Sequence, residues 1–350
     1  MRSITIGRRI IGEDQPCFII AEVGVNHNGD ISLAKKLIDA AIEAGADAVK
    51  FQAFKTEELV TNSAPKARYQ KESINSRESQ FDMLKRLELT EAGFRELFIY
   101  ARNKDIIFLS SLFDERSVDL LDELGIPAFK IGSGEITNFP LLKYIAQKRK
   151  PILLSTGMST LDEVKETVEV FQKEGIRDII LLHCVSSYPA KTEDMNLKAI
   201  ETLRQVFKMP VGLSDHTLGI TASIAAVAIG ACVIEKHFTL DMKLPGPDHK
   251  ASLKPREFKE MVAVIQDVRS ALGDGVKRPR KCEEDLIRIA RRSIVAKMNI
   301  PKGTIITGDM LAVKRPGTGL EPKYIDEVIG RRVKGDIKQN EMITRSKLAK

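Results

Sequence analysis

Two histidines stand in matched settings. GLSDHTLG, residues 212–219, carries His216 after an apolar approach with Ser214 and Asp215, and VIEKHFTL carries His237 twenty-one residues later. Imidazoles projecting from neighbouring strand ends into one space can share a divalent ion while leaving positions for water and substrate. A nitrogen pair without thiolates suits manganese, magnesium or cobalt, with oxygen completing the shell, better than a closed zinc site. The competing reading of any one histidine is a hydrogen-bonded core imidazole, which fits His183, set early in its apolar run. His27 and His249 receive no role from the sequence.

Lys50 and Lys130 each sit near the end of an apolar run, where an ammonium needs an anionic partner. Either could instead form a Schiff base, and the residues alone leave that role open. Polar side chains close the other apolar runs in the same way: Glu22; Gln52; Ser110 and Ser111; Ser133 and Glu135; Ser155 and Thr156; Ser186 and Tyr188; Ser214; and Glu235 beside His237. Ammonium groups supply charge while hydroxyls and turn amides supply directed hydrogen bonds, so a convergence of these groups cradles a multiply anionic ligand. A single serine in such a place is more often a turn residue or a helix cap. Ser159 or Thr160 before LDEVKE reads as the N-cap. Repetition across runs is what carries the signal.

The elements that must position these groups are legible as alternation. Eight apolar runs, CFIIAE, DAVKFQ, IIFLSS, AFKIGS, PILLST, DIILLHC, PVGLSD and CVIEKH, are separated by helically periodic stretches such as SLAKKLIDAAIEAG and TLDEVKETVEVFQKEG. Strand and helix repeated in this way, with no GxGxxG after the first strand, predict an α/β fold: a closed (β/α)8 TIM barrel whose active site lies at the C-terminal strand ends. ITIG and RRIIG before it read as a hairpin. Residues 55–80, long, polar and poorly periodic, read as a loop that could fold over the barrel mouth. The expected organisation is a catalytic barrel over 1–275, a linker over 276–290 and a small β-rich domain over 291–350.

Composition narrows the partners. A formal charge of +7 is spread among interleaved acidic residues without an aromatic ladder, which argues against nucleic acid and for small anions. Four scattered cysteines without CxxC spacing suggest neither a disulfide framework nor structural zinc. With no apolar run long enough to span a membrane and no signal-peptide pattern, a soluble cytoplasmic protein is expected.

Together AEVGVNHNGD, GADAVKFQ, FKIGSGEITNFPLL, ILLSTGMST, LLHCVSSYP, GLSDHTLG, IEKHFTLD and LPGPDH resemble the sialic acid synthase family. The likeness continues through VKRPGTGL into an antifreeze-like (SAF, β-clip) domain and so covers nearly the whole chain. The resemblance implies condensation of phosphoenolpyruvate with N-acetylmannosamine without a Schiff base, which turns both lysines into anion ligands. Lys50, Ser111, Lys130, Ser133, Ser155, Ser186 and Ser214 would hold phosphoenolpyruvate, although the family often has threonine at the first serine and its sialic acid branch asparagine at position 186. His216 and His237 would hold the metal, manganese first and magnesium or cobalt as alternatives. Glu22 would move a proton, its plain alternative being a salt bridge to Lys50. Gln52, Asn75, Glu135, Tyr188 and Asp248 would surround the sugar or the reacting water. Arg315 would reach the N-acetyl group from the partner subunit, implying a domain-swapped homodimer. An N,N'-diacetyllegionaminate synthase acting on 2,4-diacetamido-2,4,6-trideoxymannose is the nearest alternative. A 6-phosphorylated acceptor and a sugar-binding barrel without activity are lesser ones.

Overall fold

The structure, a computed structural model, describes residues 2–73 and 78–349 and divides the chain into two compact units, 1–273 and 274–350. In the first unit, β1 (Ile4–Ile6) and β2 (Arg9–Ile11) pair antiparallel as the expected hairpin. Eight strands follow: β3 (Phe18–Gly24), β4 (Ala48–Ala53), β5 (Ile107–Leu112), β6 (Phe129–Ile131), β7 (Ile152–Ser155), β8 (Ile179–Cys184), β9 (Val211–Asp215) and β10 (Val233–His237). All pair in parallel, and β10 returns to β3, so the sheet closes into a barrel. Every one of the eight apolar runs becomes its strand.

These runs read as continuous rather than alternating because parallel barrel strands are buried on both faces. The period of two survives as a division between two cores. Outward-facing Ile19, Ala21 and Val23 of β3 pack with the helices in the larger hydrophobic cluster, whereas inward-facing Phe18 and Ile20 join Ala48, Leu109, Leu153, Ile180, Leu182 and Val233 in a second one. Ile4, Ile6 and Ile11 of the hairpin belong to that inner cluster and are at most 3% exposed. The hairpin therefore plugs the end of the barrel where the strands begin. Continuing the inward register, Glu22, Lys50, Gln52, Ser111, Lys130, Ser155, Ser214, Glu235 and His237 occupy the opposite end. One barrel interior is thus hydrocarbon at its base and ionic at its mouth.

Local chemistry sets the helix ends. Thr160, rather than Ser159, caps Leu161–Lys173 in a capping box with Glu163, and Gly125 takes a left-handed conformation (φ 76°) to end Glu115–Leu124. Where a loop was expected over 55–80, short helices form: Thr56–Leu59, Arg68–Ser73 and the first turn of Gln80–Leu87. Glu88 anchors the start of this segment, its carboxylate accepting from the Thr56 amide (3.1 Å), the Thr56 hydroxyl (2.9 Å) and Lys55 Nζ (3.2 Å).

In the second unit β11 (Ser293–Ala296) pairs antiparallel with β12 (Leu311–Lys314) over a core that includes Ile294, Ile300, Ile306, Val333 and Ile343. Residues 276–290, read as a linker, carry the helix Glu284–Ala290, none of whose side chains is buried, and cluster with this unit.

Candidate active site

Strand ends at the open mouth surround a cavity of about 370 Å³ lined by Glu22, Lys50, Gln52, Ser111, Lys130, Ser133, Ser155, Ser186, Tyr188, Ser214, His216, His237 and Asp248. The structure thus gathers thirteen of the sixteen site residues expected from sequence. Glu135 does not line the cavity. Just beyond β6 it turns to accept from Asn138 Nδ2 at 2.8 Å, in the turn that leads into the helix Phe139–Gln147. Arg315 is exposed in the second unit, next after β12, and Asn75 lies outside the described residues.

At the centre is a ladder of buried charge. Lys50 Nζ lies 2.5 Å from Glu22 Oε2 and 3.8 Å from Glu235 Oε1, and donates to Ser111 Oγ at 2.8 Å. Lys130 Nζ lies 3.8 Å from the same Glu235 oxygen and donates to Ser155 Oγ at 2.7 Å. Ser214 Oγ donates to that oxygen as well, at 2.9 Å, leaving the second Glu235 oxygen buried without a hydrogen bond. The salt-bridge alternative for Glu22 is what these side chains adopt, with Gln52 Nε2 holding the other Glu22 oxygen at 3.0 Å. Burial pushes the Glu22 carboxyl above its usual range despite Lys50, while Glu235, equally buried, is held below that range by Lys130 and Lys50. Two carboxyl groups in one cluster thereby acquire opposite tendencies, one toward holding a proton and one toward staying ionised.

Beside the ladder the hydroxyls converge on backbone. The Gly157 amide donates to Ser133 Oγ at 2.8 Å, and a Cβ on Gly157 would come within 2.4 Å of Ser186 Oγ. Glycine here leaves room that any side chain would fill.

His216 and His237 face each other with ring centroids 5.4 Å apart. His216 Nδ1 donates to the Val185 carbonyl at 2.8 Å, which leaves the Nε2 lone pair toward Ser214 Oγ, 3.5 Å away. His237 Nδ1 is buried without a hydrogen-bond partner, and burial together with His216 holds this imidazole well below its ordinary pKa, hence neutral. A neutral imidazole with an unsatisfied buried nitrogen beside a second imidazole suits a divalent ion; despite burial, Cys184 pushes His216 above its ordinary range, so an ion held there would displace a proton. No cluster of three or more His, Cys, Asp or Glu able to hold a metal occurs among the described residues, so oxygens of water or substrate would have to complete the shell. Tyr188 covers the pair, 4.1 Å from the His216 ring and edge-on to His237 at 5.6 Å.

Directly behind the histidines lies an ion pair that sequence reading did not single out. Asp215 and Lys236 oppose one another in the β9–β10 register, and their outward-facing side chains, both 0% exposed, approach to 2.9 Å. Asp215 also accepts from the Thr217 amide and hydroxyl (2.9 and 2.8 Å) and from Ser223 Oγ (2.6 Å), so its lone pairs are satisfied. The pair staples the two strands at the level where His216 and His237 leave the inner face. The sequence signal was available: a charged residue flanking each histidine inside an otherwise apolar run.

His183 is a core imidazole, as its position suggested, with Nε2 bonded to the Met195 carbonyl at 2.7 Å. Other cavity residues that sequence reading missed are Tyr69, Met83 and Leu84, from the segment between β4 and β5, and Cys184 at the end of β8.

An ionic barrel mouth with paired imidazoles has the chemistry to receive a small anion, and comparison gives the class. The NeuB family description matches residues 37–277 and the SAF domain description residues 291–349; the chain belongs to the NeuB family. It is 50% identical over 327 residues to the N,N'-diacetyllegionaminic acid synthase of Campylobacter jejuni, covering 93% of this chain and 98% of that one. To the human N-acetylneuraminate-9-phosphate synthase it is 40% identical over 338 residues, covering 96% and 93% respectively. A crystal structure of the N-acetylneuraminic acid synthetase of Leptospira borgpetersenii superimposes with a TM-score of 0.73 at 37% identity, over 82% of this chain and 95% of that one.

Two predictions concern the buried charges. Lys236→Met strands the Asp215 carboxylate and is expected to cost about 3–5 kcal/mol in urea unfolding, whereas the double change Asp215→Leu with Lys236→Met recovers most of it; equal losses in both would exclude the pairing as the cause. Asp248, buried near Glu22, has its carboxyl pushed up to about 7, so the folded chain holds a proton that the unfolded chain has released, and stability falls as pH rises toward that value. Asp248→Asn should therefore raise the melting temperature by an amount that grows from about pH 4 to about pH 8. A gain independent of pH would contradict the shifted carboxyl.

Proposed function

We propose that the barrel is a nonulosonic acid synthase, joining C3 of phosphoenolpyruvate to the aldehyde carbon of an N-acetylated hexosamine and releasing phosphate. The observation that carries this reading is the meeting, in one cavity, of a two-lysine hydroxyl cradle with two facing imidazoles. Lys50, Lys130, Ser111, Ser133, Ser155, Ser186 and Ser214 hold the phosphate and carboxylate, fixing the nucleophilic carbon toward His216 and His237. Those two histidines hold a divalent ion, manganese in this reading with magnesium or cobalt as alternatives. When bound it supplies Lewis-acid polarisation of the aldehyde oxygen.

Formation of the C3–C1 bond leaves positive charge at C2 of the former enol phosphate, which Glu235 and the phosphate itself stabilise electrostatically. Water adds at C2, and the tetrahedral adduct expels phosphate by cleavage of its C2–O bond. Glu22, paired with Lys50 and with its pKa raised by burial, takes a proton from the attacking water and hands it to the new alkoxide. Gln52 orients Glu22, Tyr188 shields the histidines, and Asp248 contacts the sugar. Arg315 acts on the N-acetyl group in the site of the partner subunit, in a domain-swapped homodimer located in the cytoplasm, and Asn75 is assigned to the sugar side, whereas Glu135, turned to Asn138, is not.

For the acceptor, 2,4-diacetamido-2,4,6-trideoxymannose takes precedence over N-acetylmannosamine, which the sequence motifs put first. The support is the 50% identity to the Campylobacter legionaminic acid synthase against 40% to the human enzyme.

Phosphate release from phosphoenolpyruvate, followed with each acceptor and each metal, tests the reaction: the diacetamido sugar should give a kcat/KM at least ten times that of N-acetylmannosamine. Release with neither sugar rejects the synthase, and the reverse ranking rejects the acceptor assignment. His237→Ala should abolish metal-stimulated turnover and weaken manganese binding in a direct titration; full activity in a chelated sample would remove the ion from the mechanism.

A further inference from the structure

The cavity has two walls of different chemistry. One is the charged ladder described above. The other comes largely from the segment between β4 and β5: Tyr69, Met83, Leu84 and Leu87 line it, with Val25 and Phe113 from the ends of β3 and β5. Met83 and Leu87 are 0% and 1% exposed, and with Val25 and Phe54 they form a hydrophobic cluster separate from both barrel cores, against which Leu84 and Phe113 pack. This small cluster fixes the helix Gln80–Leu87 at the cavity and presents Leu84 to it.

Polar groups on this wall bond chiefly to one another. Gln70 is 8% exposed, its Oε1 accepting from the Ala67 amide at 2.9 Å and its Nε2 donating to the Tyr69 hydroxyl at 3.3 Å. Tyr69 lays its ring 4.9 Å from Tyr188, which in turn lies 4.1 Å from His216. Two ring-to-ring steps thus lead from the histidine pair to Tyr69. An acceptor whose aldehyde sits at the histidines extends its distal carbons along this path. There a methyl group is removed from water against hydrocarbon and an aromatic face, while a hydroxyl gives up its hydration for, at most, the polar tips of Tyr69 and Gln70, which already bond to each other.

We propose that Tyr69 and Leu84 are specificity-determining residues, selecting acceptors whose distal carbon carries a methyl group in place of a free hydroxyl. The inference rests on the reading of the cavity as a synthase site and deepens it by naming the residues that read the far end of the sugar. A hydrophobic surface distinguishes a methyl-bearing ligand from its hydroxylated counterpart by roughly ten- to a hundredfold.

The test uses the full-length, metal-loaded enzyme, phosphoenolpyruvate and two acceptors differing in one atom, N-acetylmannosamine and its 6-deoxy analogue. The parent should favour the deoxy sugar in kcat/KM by about tenfold or more. Leu84→Asn, close in volume, should bring that ratio to within about threefold of unity through a higher KM for the deoxy sugar, leaving the KM for phosphoenolpyruvate in place, whereas Leu84→Met keeps the preference. Tyr69→Ser, a second variant on a separate helix, should narrow the ratio as well, so that loss of one variant to misfolding leaves the other decisive. No preference in the parent, or an equal loss for both sugars in the variants, overturns the specificity assignment while leaving the synthase reading intact. Absence of phosphate release with either of these sugars and with the diacetamido sugar overturns both.

Discussion

Everything at the barrel mouth depends on a constraint of solvation: several charges are held there almost entirely out of water. Lys50, Lys130, Glu22 and Glu235 are each no more than 4% exposed. Isolated, any of them would be driven to its neutral form or out of the fold. They persist because they alternate in sign around Glu235, whose Oε1 faces both ammonium groups and the Ser214 hydroxyl. Such a cluster is fixed before any ligand arrives. Its donors need little reorganisation to meet an anion, and the low-dielectric walls strengthen each contact.

The barrel converts a one-dimensional rule into this arrangement. With a side-chain period of two, inward positions alternate along each strand, and the closed parallel register brings equivalent positions to the same height. Hydrocarbon fills the lower layers; Gly212 supplies no side chain at all, because a Cβ there would come within 2.4 Å of the Val233 carbonyl. The top layer carries the ions. Asp215 and Lys236 show the same register operating on the outer face, where a buried pair secures the strands that deliver the histidines.

How much of this was legible in the sequence follows from where the ordering forces originate. Strands β3 to β10 announce themselves because apolar runs bounded by helical periodicity have few other ways to be buried, and their closing residues become the cavity lining. Tyr69 and Leu84 were silent for the opposite reason. Their segment lacks strong periodicity, and its placement comes from Glu88 holding Thr56 and from the small cluster around Met83, contacts between residues far apart in the chain. Glu135 illustrates a third case. It follows a strand end like its neighbours, but a turn intervenes, and the local bond to Asn138 decides its direction. Residue type and strand position together predict chemistry only as far as the strand continues.

The hairpin at the chain start fills the lower opening with Ile4, Ile6 and Ile11, so traffic can use only the upper one. Lys50 and Lys130 lie deeper in that shaft, at the level of the strands, than the tyrosines and leucine above them. On the synthase reading proposed above, a molecule seated on the lysines would pass the residues around Tyr69 on its way in and again on its way out. Three isoleucines at the far end of the barrel thus set the direction from which the charged mouth is reached.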